Sequence, residues 1–373
     1  MSLASKIAKS VKLALNLFFS IKDKLLGKVT NKIINSGNVK NLVIDYKNIE
    51  CAGLGGAIVD YTISVTDDIL LQNNLNKGQM HLVSLDAFNK ILSCGEVICT
   101  DFCGSVANTI RFLNQAGVQS CLIANISEDS EGTDYKQNTQ NNFALNVNPA
   151  IFTSRSAVLI TPDGQRTMCT AIDSLNYIDF DDISIKTQLS LSSCKFLIIE
   201  GYLFFNKLNM ESINAICHVA KLNGVEFVMS LSDAFCVTSC FSQMIEIINK
   251  YCSFVFGNKE EFDALSKQLA SCKISFTNNI TFVITNGSEG CCIYKSEDYN
   301  LQHGFATSLC KFGTEPILNP VDTTGAGDIF MGGFIYGLVK NLNLAGCVNL
   351  ANKNAAKVIM QNGTNMLNKI LLG

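Results

Sequence analysis

The sequence predicts an α/β protein in which a mostly parallel sheet carries helices on both faces, with a small β lid in addition. Three observations lead there. Six short apolar runs recur along the chain at intervals that leave room for a helix between them. Such runs are typical of strands buried on both faces, as in parallel sheets, whereas half-exposed strands alternate. Two further stretches do alternate, and one of them contains an Asp-Gly turn signal. Finally, the glycine-rich string NPVDTTGAGDIFMGG, Asn319 to Gly333, runs directly into the apolar stretch FIYGL, as a loop feeding a buried helix does.

Taken in chain order, residues 1–45 stand apart as a basic amphipathic extension. Leu3, Ile7, Val11, Ala14, Phe18, Ile21 and Leu25 recur at steps of four and three with lysines between them, the pattern of a helix with one apolar stripe. A targeting presequence or a membrane-surface anchor is one reading. The segment carries no arginine, and docking of the stripe on the body of the protein is the expectation. Residues 46–373 are expected to form one domain. Its buried strands are NIECAGLG, VQSCLIANI, KFLIIEG, EFVMSLS, CSFVFGN and ITFVITNG, joined by helices as in repeated βαβ units. Binding sites in such sheets lie at the carboxyl ends of the strands. AIVDYTISV alternates from Ala57, and AVLITP and QRTMCTAI flank the Asp163-Gly164 turn. Both stretches, near 57–65 and 157–173, are expected as exposed antiparallel strands forming a lid, with a hairpin on the sheet edge as the alternative.

Composition narrows the partners. With 373 residues, 47% hydrophobic content and four prolines, the chain can bury a large core and is not of the disordered class. A net charge of -3 gives no reason to expect nucleic acid, so the expected partner is a small molecule. The sixteen cysteines are scattered through apolar runs without a CxxC pair. They are expected as reduced core thiols of a cytoplasmic protein, monomer or homodimer, rather than as a disulfide scaffold. Three histidines and CxxxC spacings at Cys99/Cys103 and Cys236/Cys240 do not suggest a structural zinc site. No run approaches a membrane-spanning length.

TTGAGD carries the chemistry most directly. A helix starting near Ala326 leaves free backbone N–H groups in a loop that glycine allows to approach a ligand closely, which makes an anion cradle. Asp328, just inside that helix, is then placed to take a proton from a hydroxyl attacking a phosphoryl group. A glycine-rich turn followed by an ordinary first-turn acidic residue is the alternative on this string alone.

DTTGAGDIFMGGFIYGL also resembles the C-terminal signature of the ribokinase-like, or PfkB, family of carbohydrate and nucleoside kinases. The similarity continues in the family's order through GLGGAIVDYTISV, CGSVANT, TPDGQRTM, EGY, SLSDAFCV, NKEE and TNGSEG, over residues 48 to 365, and is greatest to the adenosine-kinase-like branch. The resemblance implies a ribokinase-like fold, ATP as phosphoryl donor with Mg2+, and a nucleoside or sugar as acceptor. It implies that Asp328 is the base and that the amides of Gly325, Ala326 and Gly327 form the anion hole. Asp60 would bind two acceptor hydroxyls, Gly104 and Asn108 would approach the acceptor sugar, and Arg166 would be a lid arginine closing over substrate or phosphate. Thr285, Gly287 and Gly290 would contact nucleotide phosphates. Asn258 and Glu261 would organise Mg2+ through water, with no direct protein ligand, and Asn354 would lie near the adenine. Read without the family, NKEEFDALSK is a capped surface helix, Asp60 an outward polar residue, Arg166 a solvated hairpin charge and TNGSEG a strand-end turn.

The chain departs from the pattern in two places. It has Gly56 where the branch carries an asparagine that helps hold the ribose, and Cys103 where the first of two glycines precedes the serine. The expected activity is phosphorylation of a hydroxyl of an adenosine-like nucleoside or of a sugar. A fructokinase- or ribokinase-like sugar kinase, a noncatalytic binding homologue and a nucleotide-binding oxidoreductase are the alternatives. The last needs a GxGxxG turn after the first strand, and GLGGA lacks its final spacing.

Overall fold

In the computed structural model each of the six apolar runs forms a strand of one nine-stranded sheet. The structure describes residues 49–139, 143–148, 151–173, 194–207, 209–301, 303–305, 308–317, 319–361 and 363–364, all in the unit Asp45–Gly373. The amphipathic extension therefore lies outside the described residues. In chain order the strands are β1 Cys51–Leu54, β2 Ile58–Ser64, β3 Met80–Leu82, β4 Val97–Cys103, β5 Ser120–Ile126, β6 Phe143–Val147, β7 Ser154–Ile160, β8 Arg166–Ala171, β9 Phe196–Glu200, β10 Glu226–Ser230, β11 Cys252–Asn258, β12 Thr281–Thr285, β13 Cys291–Lys295, β14 Tyr299–Asn300, β15 Gly304–Phe305 and β16 Cys310–Phe312. The helices that bear on the site are α1 Ser105–Gln115, α2 Lys259–Cys272, α3 Ala326–Val339 and α4 Leu344–Val358.

The large sheet has the order β16-β13-β12-β11-β10-β9-β1-β5-β6. Strands β12 through β6 in that order are parallel, and β13 and β16 close one edge antiparallel. Burial on both faces explains the continuous apolar runs. Phe256 and Phe254 meet Phe334 of α3 with ring centroids 5.2 and 6.0 Å apart. On the other face Phe282 packs on Phe262 of α2, and Phe227 on Tyr251. Helix α3 is apolar nearly all round, with Ile329 to Gly337 buried, which suits a helix enclosed on every side. It packs on α1 and α4 as well as on the sheet. Because β5 and β9 flank β1, the strand order reverses at β1, and such a switch point opens a crevice at the carboxyl ends.

The alternating stretches form a second, five-stranded sheet of order β3-β8-β7-β2-β4. The expectation of antiparallel strands needs correction here. β7 and β8 are the antiparallel hairpin across Asp163-Gly164, but β2 pairs with β7 in parallel and with β4 antiparallel. Nor are the strands simply exposed, since β7 is buried along most of its length. Helices Asp67–Gln72 and Leu85–Leu92 contribute Leu70, Phe88 and Ile91 to a separate core with Ile63, Ala157, Leu159 and Cys169. The alternation in β2 marks that one-sided burial, and the exposed β4 was not anticipated. None of the sixteen cysteines is in a disulfide. Ten are buried, but Cys99, Cys272 and Cys310 reach the surface rather than the core.

One glycine fixes how the two layers join. Gly104, the residue before α1, has φ 133 and ψ 141, a region essentially closed to residues with a Cβ. A Cβ there would lie 2.0 Å from the Gly56 carbonyl oxygen. Gly117 also has a positive φ, 82, yet nothing lies within 4 Å of its Cβ position. Gly117→Ala should therefore cost only backbone strain of about 1–2 kcal/mol, whereas Gly104→Ala should cost clearly more because backbone must also move. Urea denaturation of both variants measures the difference, and equal losses would show that the Gly104–Gly56 contact is not restrictive.

Candidate active site

The two helices α1 and α3 bring their N-termini together, and Asp328 sits at their junction. Asp328 is the third residue of α3. Its Oδ1 accepts a hydrogen bond of 2.7 Å from the Ser105 hydroxyl, and its Oδ2 one of 2.9 Å from the Asn108 amide. Thr109 donates to the Asp328 main-chain carbonyl at 3.0 Å. Ser105, Asn108 and Thr109 share one face of α1 because they lie at i, i+3 and i+4. Burial pushes Asp328 up to about 6, against the pull of its two donors. Hydrogen bonds to a carboxylate favour its ionised form, so the net rise reports desolvation.

The cradle before α3 is drawn tight. Gly325, the N-cap, has φ 72, and a Cβ on it would come 2.1 Å from Thr364 Cγ2. First-turn amides at a helix N-terminus have no intrahelical acceptor and favour an anion. Of the trio expected here, Ala326 donates to the Thr323 carbonyl at 3.3 Å, while Gly327 is exposed. Thr364 in turn donates to the Asn108 amide oxygen at 3.0 Å. Asp322, 6% exposed, braces the loop by accepting from the amides of Thr324 and Gly363. Arg166, at the start of β8, reaches it from the smaller sheet, with Nη1 2.5 Å from Asp322 Oδ1 and 2.6 Å from the Thr324 hydroxyl. The hairpin arginine is thus docked on the cradle loop rather than solvated.

Asp60 lies on β2 directly across from Asp101 on β4. Burial pushes its carboxyl up to about 7, with the charges of Asp101 and Asp328 adding to the rise. The Cys103 thiol, where the family pattern has glycine, donates to it, and Arg111 opposes the rise. Arg111 is itself engaged with the Phe102 carbonyl, Asn108 and Thr364. Asp60, Gly104, Asn108, Arg166, Gly325 and Asp328 therefore share one neighbourhood.

The residues expected around the nucleotide form a second group at the carboxyl ends of β11 and β12, where Asn258 pairs with Thr285. Asn258 and Glu261 make a capping box on α2, with the Asn258 side chain accepting from the Glu261 amide at 2.9 Å and the Glu261 carboxylate accepting from the Asn258 amide at 3.1 Å. Glu261 is nevertheless buried, and burial pushes it up to about 7, followed by the charges of Asp233, Asp328 and Glu260. Among the described residues no three His, Cys, Asp or Glu side chains converge to hold a metal. The charges of Asp233 and Asp328 acting on Glu261 fit a divalent cation near it, which would relieve them. Gly287 and Gly290 bound the turn from β12 to β13, both at positive φ. Asn354 does not join either group openly: it is 1% exposed within α4, its amide bonded to the Leu350 carbonyl.

Several residues of the site escaped the reading of the sequence. Ser105, Thr109 and Thr364 touch Asp328 or its partners, Asp322 holds Arg166, and Glu200 lies at the end of β9 beside the Gly55–Gly56 turn. The spacing SxxNT was the available signal for the first two. A charged residue ending the apolar run KFLIIEG was the signal for Glu200.

Comparison with known proteins decides the family. A family profile described as pfkB family carbohydrate kinase matches residues 98–370. The chain belongs to this family. It is 27% identical to adenosine kinase 2 of Arabidopsis thaliana over 341 residues, 83% of this chain and 93% of that protein. Among solved structures it resembles an adenosine kinase from Sinorhizobium meliloti, with TM-score 0.71, 25% identity and coverage of 85% of this chain and 96% of the other. A probable sugar kinase from Rhizobium etli gives TM-score 0.71 and 25% identity over 86% of this chain and 95% of the other. This pfkB-family protein is a kinase with the ribokinase fold, and its relatives include both nucleoside and sugar kinases. No helix among the described residues is long and apolar enough to cross a membrane.

The raised carboxyls of this kinase set a pH dependence of stability. Asp60, Glu200 and Glu261 are pushed up to about 7 and Asp328 to about 6. A group with a folded pKa above its unfolded value binds protons more tightly when folded, so the stability it contributes is lost as pH rises through the folded value. Unliganded protein should therefore lose stability between about pH 4 and pH 7. Asp129, Asp163 and Asp322, held below their usual range, act in the opposite sense at lower pH. Urea midpoints across pH 4.5 to 8 provide the check, and a rising stability over that range would contradict the raised values.

Proposed function

We propose that this kinase transfers a phosphoryl group to a hydroxyl of an adenosine-like nucleoside or a related sugar, with Asp328 as general base. The observation that carries this reading is the pairing of Asp328 with Ser105 and Asn108 at the mouth of a helix N-terminus. Those donors fix the carboxylate's orientation, and a value near 6 leaves it ionised yet able to accept a proton near neutral pH. Bound ATP with its Mg2+ supplies the transferable phosphoryl group. The residues suited to hold it are the cradle of Gly325, Ala326 and Gly327, with Thr285, Gly287 and Gly290 at the neighbouring strand ends. Asn258 and Glu261 are suited to orient the ion's water shell. Asn354, buried in α4 with its amide on the Leu350 carbonyl, would pack near the adenine.

On the acceptor side, Asp60 accepts hydrogen bonds from the sugar hydroxyls, and Gly104 leaves room for the ring beside Asn108. The smaller sheet acts as a lid that excludes water during transfer. Arg166, docked on Asp322 and Thr324 of the cradle loop, is placed to turn from them onto a phosphate held there. Adenosine kinase relatives favour a ribofuranoside acceptor, and the intact Asp60 suits a vicinal diol.

Two outcomes follow. Asp328→Asn should lower kcat by about 10² to 10⁴, the span of a lost general base. The wild-type kcat/KM should fall as pH drops below about 6, since the base must be ionised. An ADP-release assay with purified protein measures both, and near-normal turnover of the variant would remove Asp328 from the chemistry. The same assay across nucleosides and sugars tests the acceptor. A 2′-deoxynucleoside should lose about 2 to 4 kcal/mol of transition-state binding relative to the ribonucleoside, because Asp60 is left unpaired. Turnover of fructose without any nucleoside would move the acceptor to the sugar side, and no turnover of any acceptor would sink the catalytic reading.

A further inference from the structure

Glu200 is the most deeply buried carboxyl in the neighbourhood and the proposed chemistry does not use it. It ends β9 with 0% exposure. No cation pairs with it among the described residues; its carboxyl instead accepts two backbone N–H groups, Oε1 from Gly56 at 2.8 Å and Oε2 from Val106 at 3.1 Å. Burial pushes it up to about 7, the two amides oppose this, and the charge of Asp328 adds to the rise. Tyr135, Tyr202 and Cys236 are the other titratable groups within its electrostatic reach.

Burying such a group without a cation is costly, and full hydrogen bonding is what makes it tolerable. The two amides explain what is gained. Gly56 belongs to the turn that leads from β1 into β2 and so to Asp60. Val106 is the second residue of α1, between Ser105 and the turn that carries Asn108. The two segments already touch where Gly104 meets the Gly56 carbonyl. The approach of Glu200 is close enough that a Cβ on Gly55 would lie 2.7 Å from its Oε2. The register places Leu54 beside Ile199, so the end of β9 is brought against this turn by the sheet itself.

We propose that Glu200 is a positioning residue for phosphoryl transfer: its carboxyl ties the turn before Asp60 and the first turn of α1 into one unit, holding the acceptor-side carboxylate and the partners of Asp328 in fixed register. This rests on the proposed function only for its kinetic consequences. The geometry requires two acceptor oxygens on one group. Glutamine offers one acceptor and sets an NH2 against the second amide. Aspartate keeps the charge but falls short by one methylene.

The test uses full-length wild type, Glu200→Gln and Glu200→Asp. In both variants the acceptor KM should rise about tenfold while the ATP KM stays within about twofold, since the nucleotide-side residues are tied elsewhere. The carboxyl carbon of Asp328, followed by NMR, should titrate at higher pH in Glu200→Asp than in wild type. That variant keeps a carboxyl at the neighbouring position, so a rise reports loosened Ser105 and Asn108 donors. Asp60, Glu261 and Arg111, the other charged groups around Asp328, are unchanged in it. Amide exchange in the wild type adds a reading that needs no variant, with Gly56 and Val106 expected to be protected. Folded variants with unchanged acceptor KM and Asp328 titration, an ATP KM rising in step with the acceptor KM, or fast exchange of both amides in the wild type would each overturn the proposal. If the wild type turned over no acceptor, the functional reading would fail, and the Asp328 titration and amide exchange would still decide the role of Glu200.

Discussion

Two helix N-termini meeting over one carboxylate is the constraint on which the rest of the site depends. Asp328 enters from α3 and its donors Ser105 and Asn108 from α1, so the geometry is right only while those helices keep their packing. That packing is secured from below by the sheet, where Phe254 and Phe256 hold α3. It is secured from the side by Thr109, which bonds the Asp328 main chain. A carboxylate held from both its own helix and a neighbour loses rotamer freedom, which is the condition for a group that must meet a reacting atom.

Electrostatics supplies the second layer of the argument. Asp60, Glu200, Glu261 and Asp328 all titrate above their usual range, and burial leads the causes in each. The cations nearby are already engaged: Arg166 on Asp322 and Arg111 on Phe102, Asn108 and Thr364. The side chains of the site therefore carry an excess of acidic groups, bordered by a cradle of amides. A polyanionic nucleotide arriving with its cation, and an acceptor arriving with hydroxyl donors, each answer one half of that imbalance. In the proposed mechanism the same burial that costs stability as pH rises tunes the base.

The sheet was legible in the sequence because strands buried on two faces leave continuous apolar runs, and all six became strands. The small sheet was half legible. Its hairpin was announced by Asp163-Gly164, whereas the parallel pairing of β2 with β7 joins segments nearly a hundred residues apart and leaves no local mark. Asp328 and Asn108 stood out through their motifs. Ser105 did not, because a serine at a helix start is usually only a cap, and its partner lies on another helix. Asn258 and Glu261 show the reverse case. The capping box that their spacing suggests is present, and what the spacing could not show was the burial of Glu261 beside Asp233 and Asp328.

The GLGG turn after β1 illustrates why a glycine pattern does not name its ligand. At a switch point such glycines commonly make room for a dinucleotide's phosphates. Here the same space is filled by protein, with Gly104 against Gly56 and the Glu200 carboxyl against Gly55. A buried carboxylate at that position is the opposite of an anion cradle, so a phosphate could not replace it without meeting like charge. The glycine amides of the cradle lie instead at the start of α3, where Asp328 is close enough for its charge to act on Asp60. An anion cradle beside the acceptor carboxylate, with the crevice at β1 filled by protein, suits direct transfer between two adjacent ligands, whereas a single dinucleotide would need the crevice itself to be open.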